Sequence, residues 1–168
     1  MISHRKYSYY IGLGSNLENR LDLLSSGVIN ISKIGVIVSQ SNWYETPSWG
    51  FEGEDFINGV VLLETKLEPE MLLVALQKVE LEIGRKRQNV GEYENRLIDL
   101  DILYSGDLIL EMPNLTIPHP QNHLRKFVLQ PLAEIAPSFI CPVHGISISK
   151  LLILCPDPTQ AMELKNPR

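Results

Sequence analysis

No window of this 168-residue sequence approaches the roughly 20 consecutive apolar residues that a membrane-crossing helix needs. Residues 1–6 lead into a strand-like segment and carry no apolar signal core, so a soluble, cytoplasmic protein is expected. Cysteine is scarce. Cys141 and Cys155 stand in no metal-binding or redox spacing and read as idle thiols of a reducing compartment. Basic charge is in deficit: the net charge of −5 argues against a general nucleic-acid binder, which would show a broad basic face. An anionic ligand stays open, because Arg85, Lys86, Arg87 and Arg96 cluster. Internal repeats, low-complexity tracts, a P-loop and a Rossmann glycine fingerprint are all missing. What remains is globular, 44% apolar and 21% charged, of a length that suits one domain spanning residues 1–168.

The periodicity gives the elements. Tyr7 to Leu13 reads as a strand, and Gly12 to Asn16 as a tight turn capped by Ser15 or Asn16. Leu17, Leu21, Leu24, Val28 and Ile31 recur at helical spacing, with Gly35 as the stop. Val36 to Thr46 reads as one strand closed by Pro47, and Phe56 to Thr65 as another. The loop between them, 48–55, holds Trp49 and Phe51, packed back or held out for a ligand. Pro69 opens a second helix striped by Leu72, Leu76, Val79 and Ile83, and Gly84 ends it. Gln77 and Glu80 share another side of it, solvated by default. Further on, 115–120 is extended, helices are expected over 127–136 and 147–154, and the tail from Pro156 should fray. The order strand, helix, strand, strand, helix, strand is that of an α+β, ferredoxin-like βαββαβ sandwich with an antiparallel sheet.

One stretch carries chemistry. In 96–104, Ile98, Leu100, Ile102 and Tyr104 fall on one face of a strand, and Asp99 and Asp101 on the other. Two carboxylates so close need compensating charge, and a hard divalent cation such as Mg²⁺ supplies it. The bland alternative is an amphipathic edge strand with two solvated aspartates. The basic cluster just upstream tips the balance, since metal-holding carboxylates beside guanidinium groups make a phosphoryl-transfer inventory.

Taken with Tyr10-Ile11-Gly12-Leu13-Gly14-Ser15-Asn16-Leu17, Tyr44-Glu45-Thr46-Pro47, Phe56-Ile57-Asn58, Ile117-Pro118-His119-Pro120 and the run from Arg125 to Pro137, this stretch resembles one family. That family is 6-hydroxymethyl-7,8-dihydropterin pyrophosphokinase, and the resemblance covers about residues 8 to 140. It implies a single-chain enzyme that transfers the β,γ-diphosphate of ATP to the hydroxymethyl group of a reduced pterin, in folate biosynthesis. Asp99 and Asp101 would hold two Mg²⁺ ions, and Arg85 and Arg96 would clamp the phosphates at the reacting centre. Arg87, His119 and Arg125 look like further triphosphate contacts. Gln77, Glu80, Ile102 and Thr116 match positions near the nucleotide. Thr46, Pro47, Trp49, Phe56, Asn58 and Phe127 match the pterin pocket. Loops 48–55 and 88–95, which lack apolar anchors, are expected to be mobile and to border the site. The sequence departs from the family where many members carry an aromatic and Gly-Pro-Arg before the aspartate strand; here Gly91-Glu92-Tyr93-Glu94-Asn95 precedes Arg96. Two other classes compete: a metal-dependent nucleotidyltransferase, which would release pyrophosphate, and a ferredoxin-like ligand-binding module without catalysis.

Overall fold

The computed structural model describes residues 6–17, 19–84 and 97–165. Strand β1 (Tyr7–Ser15) leads to α1 (Arg20–Ile31), then β2 (Val36–Gln40), β3 (Trp43–Thr46), β4 (Phe56–Thr65) and α2 (Pro69–Ile83). Then come β5 (Asp99–Tyr104), the short ribbon β6 (Leu110–Met112) and β7 (Leu115–Ile117), α3 (Lys126–Ile135), α4 (Ile148–Leu154) and β8 (Met162–Leu164). The main sheet is antiparallel, in the order β5-β1-β4-β3-β8, with β2 also on β4. Among the described residues no helix is long and apolar enough to cross a membrane.

Alternation along the strands makes two cores. Tyr9, Ile11, Leu13, Val61, Leu63, Ile98, Leu100 and Ile102 pack against α1 and α2 on one face. Val60, Leu103 and Tyr104 pack with α3 and α4 on the other. The expected α+β, ferredoxin-like order is present, and the second helical layer borders the site.

Four local expectations need correction. Gly12 to Ser15 is not a turn but the second half of β1, paired on both sides. Val36 to Thr46 is broken at Ser41-Asn42, where side chains replace the ladder: the Val60 N–H donates to Ser41 Oγ (2.9 Å), and the Asn42 N–H to the Glu134 carboxylate of α3. That break steers β3 toward α3. Tyr104 leaves the face of Ile98, Leu100 and Ile102, because the β1–β5 register slips at Leu103; such a bulge turns the following side chain over. The tail does not fray where it is described. Asp157 is buried and accepts from the Lys126 N–H (3.0 Å) at the start of α3, and β8 closes the sheet on β3.

Candidate active site

The cavity opens on the α3 face of the sheet, where β4, β1 and β5 lie side by side. In register, Asn58 pairs with Gly14 and Gly14 with Asp99, while Val60 pairs with Gly12 and Gly12 with Asp101. The middle strand thus presents bare backbone between a β4 wall and a β5 wall. A Cβ on Gly14 would sit 2.8 Å from Asn58 Oδ1, and one on Gly12 would sit 3.3 Å from a methyl of Leu103. The glycines keep the floor open. Sequence reading missed them because a glycine pair at a strand end looks like a turn; their spacing of two beside the Asp-x-Asp spacing was the available signal.

The cavity measures about 320 Å³, near the lower end of ligand clefts and enough for a flat bicyclic ring. Thr46, Pro47, Trp49, Phe56, Asn58 and Phe127 all line it, as do Asp99, Asp101, His119 and Arg125. Phe51, the second aromatic of the 48–55 loop, lines it too, and so does Gln121, for which the sequence holds no signal. The 48–55 loop packs inward: Trp49 meets Phe127 edge-on at 6.5 Å and Phe51 meets Phe56 at 6.2 Å, centroid to centroid. Asn58 Nδ2 donates to Thr46 Oγ1 (3.0 Å), which fixes the amide so that Oδ1 lies over Gly14.

On the other side, the carbonyl of the bulge residue Leu103 accepts from the His119 N–H (3.1 Å) and from Asn122 Nδ2 (2.9 Å). These two bonds dock the 118–122 turn beside β5 and bring His119 to the cavity. Burial first, then the nearby Arg125 charge, pushes the His119 pKa down to about 4, against the pull of Asp99. The imidazole is therefore neutral near pH 7. Its Nδ1 accepts from the Gln121 N–H (3.3 Å), so Nε2 carries the proton and is a donor. Arg125 is 6% exposed and lies 4.8 Å over the Trp49 ring and 5.6 Å over Phe127, with Gln121 as a hydrogen-bond partner. One guanidinium thus touches both sides of the cavity.

The remaining expected residues lie elsewhere. Gln77 is exposed on α2, and Thr116 is half-buried on β7. Ile102 is core, at 4% exposure, on the face opposite the aspartates. Glu80 is not solvated: it is buried, and its Oε1 accepts from the Leu100 N–H (2.8 Å), tying α2 to the outer side of β5. Arg85, Arg87, Arg96, Tyr93 and the 88–95 loop lie outside the described residues.

The donor chemistry suits a hard cation. Asp99 and Asp101 offer carboxylate oxygens from one face of β5, and the facing backbone of Gly12 and Gly14 leaves room beside them. Among the described residues no third acidic, His or Cys side chain joins them into a cage. Two carboxylates that share an ion with a ligand's phosphates is the usual Mg²⁺ arrangement.

Residues 10–137 match the family model for 7,8-dihydro-6-hydroxymethylpterin-pyrophosphokinase (HPPK). A Synechocystis protein named 2-amino-4-hydroxy-6-hydroxymethyldihydropteridine pyrophosphokinase is 40% identical over 144 residues, covering 84% of this chain and 73% of its own length. A Porphyromonas gingivalis protein of the same name is 42% identical over 132 residues, covering 76% and 90%. Among solved structures, Plasmodium falciparum HPPK-DHPS superposes with a TM-score of 0.73 at 15% identity, over 91% of this chain. The match spans 46% of that longer chain, and the likeness establishes the shared fold. With model and relatives in agreement over most of its length, the chain belongs to the 7,8-dihydro-6-hydroxymethylpterin-pyrophosphokinase family.

Proposed function

We propose that this protein transfers the β,γ-diphosphate of ATP to the hydroxymethyl group of 6-hydroxymethyl-7,8-dihydropterin, releasing AMP. The observation that carries the proposal is the juxtaposition across β1. An aromatic slot with a fixed amide stands on one side, two same-face carboxylates stand on the other, and only glycine lies between.

The slot suits a pterin. Phe56 and Phe127 provide ring faces or edges for a flat heteroaromatic. Asn58 Oδ1 is an acceptor for its amino-pyrimidinone edge, while Thr46 and the Pro47 backbone complete that wall. With the ring seated there, the hydroxymethyl group reaches over Gly14 toward β5. In the transfer its oxygen bonds to the β-phosphorus, the α–β bridging bond breaks with its electron pair leaving on AMP, and the hydroxyl proton is released.

Asp99 and Asp101 would hold Mg²⁺, two ions by family resemblance, and bound Mg²⁺ supplies charge neutralisation to the phosphates. Arg85, Arg87, Arg96 and Arg125 are assigned to the triphosphate, because a guanidinium fork matches phosphate oxygens. The His119 Nε2–H adds a neutral donor. Gln77 and Thr116 are assigned near the nucleotide, and Ile102, whose side chain is core, only through its backbone on the outer edge of β5. Glu80 acts from behind by fixing the Leu100 backbone between the two aspartates. The Trp49 and Phe51 contacts cover the slot and exclude water, which would otherwise hydrolyse the transferring group. The protein works as one chain.

The test is a product count with ATP, Mg²⁺ and the hydroxymethyl dihydropterin. AMP formed one-for-one with pterin consumed supports the reading. Pyrophosphate release would mark a nucleotidyltransferase, and binding without turnover would mark a module that only holds its ligand.

A further inference from the structure

We propose that Arg20 is a positioning residue for the pterin wall of the cavity, acting by pinning both stems of the 47–55 loop. Arg20 is the first residue of α1 and touches nothing in the cavity itself. One guanidinium nitrogen lies 2.6 Å from Glu45 Oε2 on β3, and the other donates to the Asp55 carbonyl (2.7 Å) at the foot of β4. Those two residues flank the Thr46–Phe56 pair that closes the hairpin. Asn16 Nδ2 adds a bond to the Glu54 carbonyl (3.1 Å) on the same side. Within the loop, Ser48 Oγ donates to the Phe51 carbonyl (2.7 Å), so the tip is internally braced. A braced tip on stems fixed by one fork moves as a unit, and it carries Trp49 onto Phe127 and Phe51 onto Phe56.

A cation in the first turn of a helix opposes the helix dipole. Arg20 therefore contributes through its two bonds and not through helix stability. Lysine has three donors but on a single nitrogen, so it cannot reproduce the fixed two-nitrogen geometry with which the planar fork meets the two acceptors.

The effect on catalysis rests on the proposed pterin reading, whereas the effect on the loop does not. Two tryptophans report on the protein: Trp43 is 8% exposed in the core and Trp49 is half-buried in the loop. Acrylamide quenching of the full chain without substrates therefore reads loop placement. Arg20→Ala should raise the quenchable fraction while the Tm stays within a few degrees. It should raise the pterin KM by about tenfold, the weight of one charge-assisted hydrogen bond, and leave the affinity for an ATP analogue unchanged. Arg20→Lys should fall between. If Arg20→Ala does not fold, Glu45→Gln, which keeps an acceptor, should shift both readouts the same way by less. Unchanged quenching in these variants, or equal losses for pterin and nucleotide, would overturn the proposal. A changed quenching signal in a protein whose wild type does not turn over the pterin would retain the loop staple and reject the function assigned above.

Discussion

Replacing Gly14 by alanine should separate the pterin wall from the rest of the molecule. The new methyl would stand 2.8 Å from Asn58 Oδ1 and 3.6 Å from a Phe56 ring carbon. An ordinary contact begins near 3.4 Å, so the amide must give way by about 0.6 Å or the strands must part. Asn58 is buried and its other amide atom is engaged by Thr46, so the shift falls on the acceptor offered to the ligand. Overpacking of this kind costs about 1–3 kcal/mol of stability, and each kcal/mol lowers the Tm by about 2–4 °C at this size. One misaligned ligand hydrogen bond is worth about 0.5–1.5 kcal/mol, so pterin affinity should drop by about two- to twelvefold. Gly12→Ala is the control. Its methyl would meet the end of the Leu103 side chain at 3.3 Å, which a small rotation relieves, and alanine suits a strand better than glycine. Calorimetric titration of the pterin, with a non-hydrolysable ATP analogue and Mg²⁺ present, reads both. A folded Gly14→Ala protein that binds pterin as tightly as the parent would refute the assignment of Asn58 to the ligand edge.

Asp99→Asn and Asp101→Asn should each keep the Tm of the parent and lose most turnover at saturating Mg²⁺, since each removes an anionic ligand of the cation; near-parental turnover in either would sink the metal assignment. Arg125→Lys should weaken both substrates together, because this guanidinium lies over Trp49 and Phe127 and beside His119; a loss confined to one substrate in paired titrations would contradict it. Asp157→Ala should lower stability near pH 7 by about 2 kcal/mol, a Tm drop of about 4–8 °C. Burial works to raise the Asp157 pKa, but the bonds from Thr159 and the Lys126 N–H outweigh it and hold it below the ordinary carboxylate value. A depressed folded pKa gives stability that is complete above the unfolded pKa, about 3.9, and lost as pH falls through the folded one. The gap between parent and variant should therefore close below about pH 4 in thermal melts, and a gap independent of pH would refute the carboxylate's role.

Much of this was legible because it was periodic. Asp99 and Asp101 share a face since a strand alternates strictly up to the first bulge, and Pro69 and Gly84 bracket α2 where the pattern puts them. What escaped was what partners decide. The break in Val36–Thr46 depends on Glu134, 92 residues from Asn42, taking an N–H out of the ladder. The ordered tail depends on Asp157 reaching the start of α3 across 31 residues. Glu80 looks solvated on a helical wheel and is buried because the outer edge of β5 needs an acceptor there. Arg20 carries no local signal, because its partners Glu45 and Asp55 are brought to it only by the fold. The roles of the pterin-wall residues came from family resemblance and not from pattern, since nothing local ties Phe56 to Phe127.

In the proposed function one cavity holds the pterin on the β4 side of Gly14 and the metal-bound phosphates on the β5 side. A crystal structure with Mn²⁺ in place of Mg²⁺, a non-hydrolysable ATP analogue and the hydroxymethyl dihydropterin, read by manganese anomalous scattering, tests it most directly. Manganese is expected at coordination distance, about 2.0–2.2 Å, from Asp99 and Asp101 oxygens, with the pterin ring between Phe56 and Phe127 and its hydroxymethyl group facing the β-phosphorus. Manganese bound away from β5, or a pterin outside the slot, would contradict it.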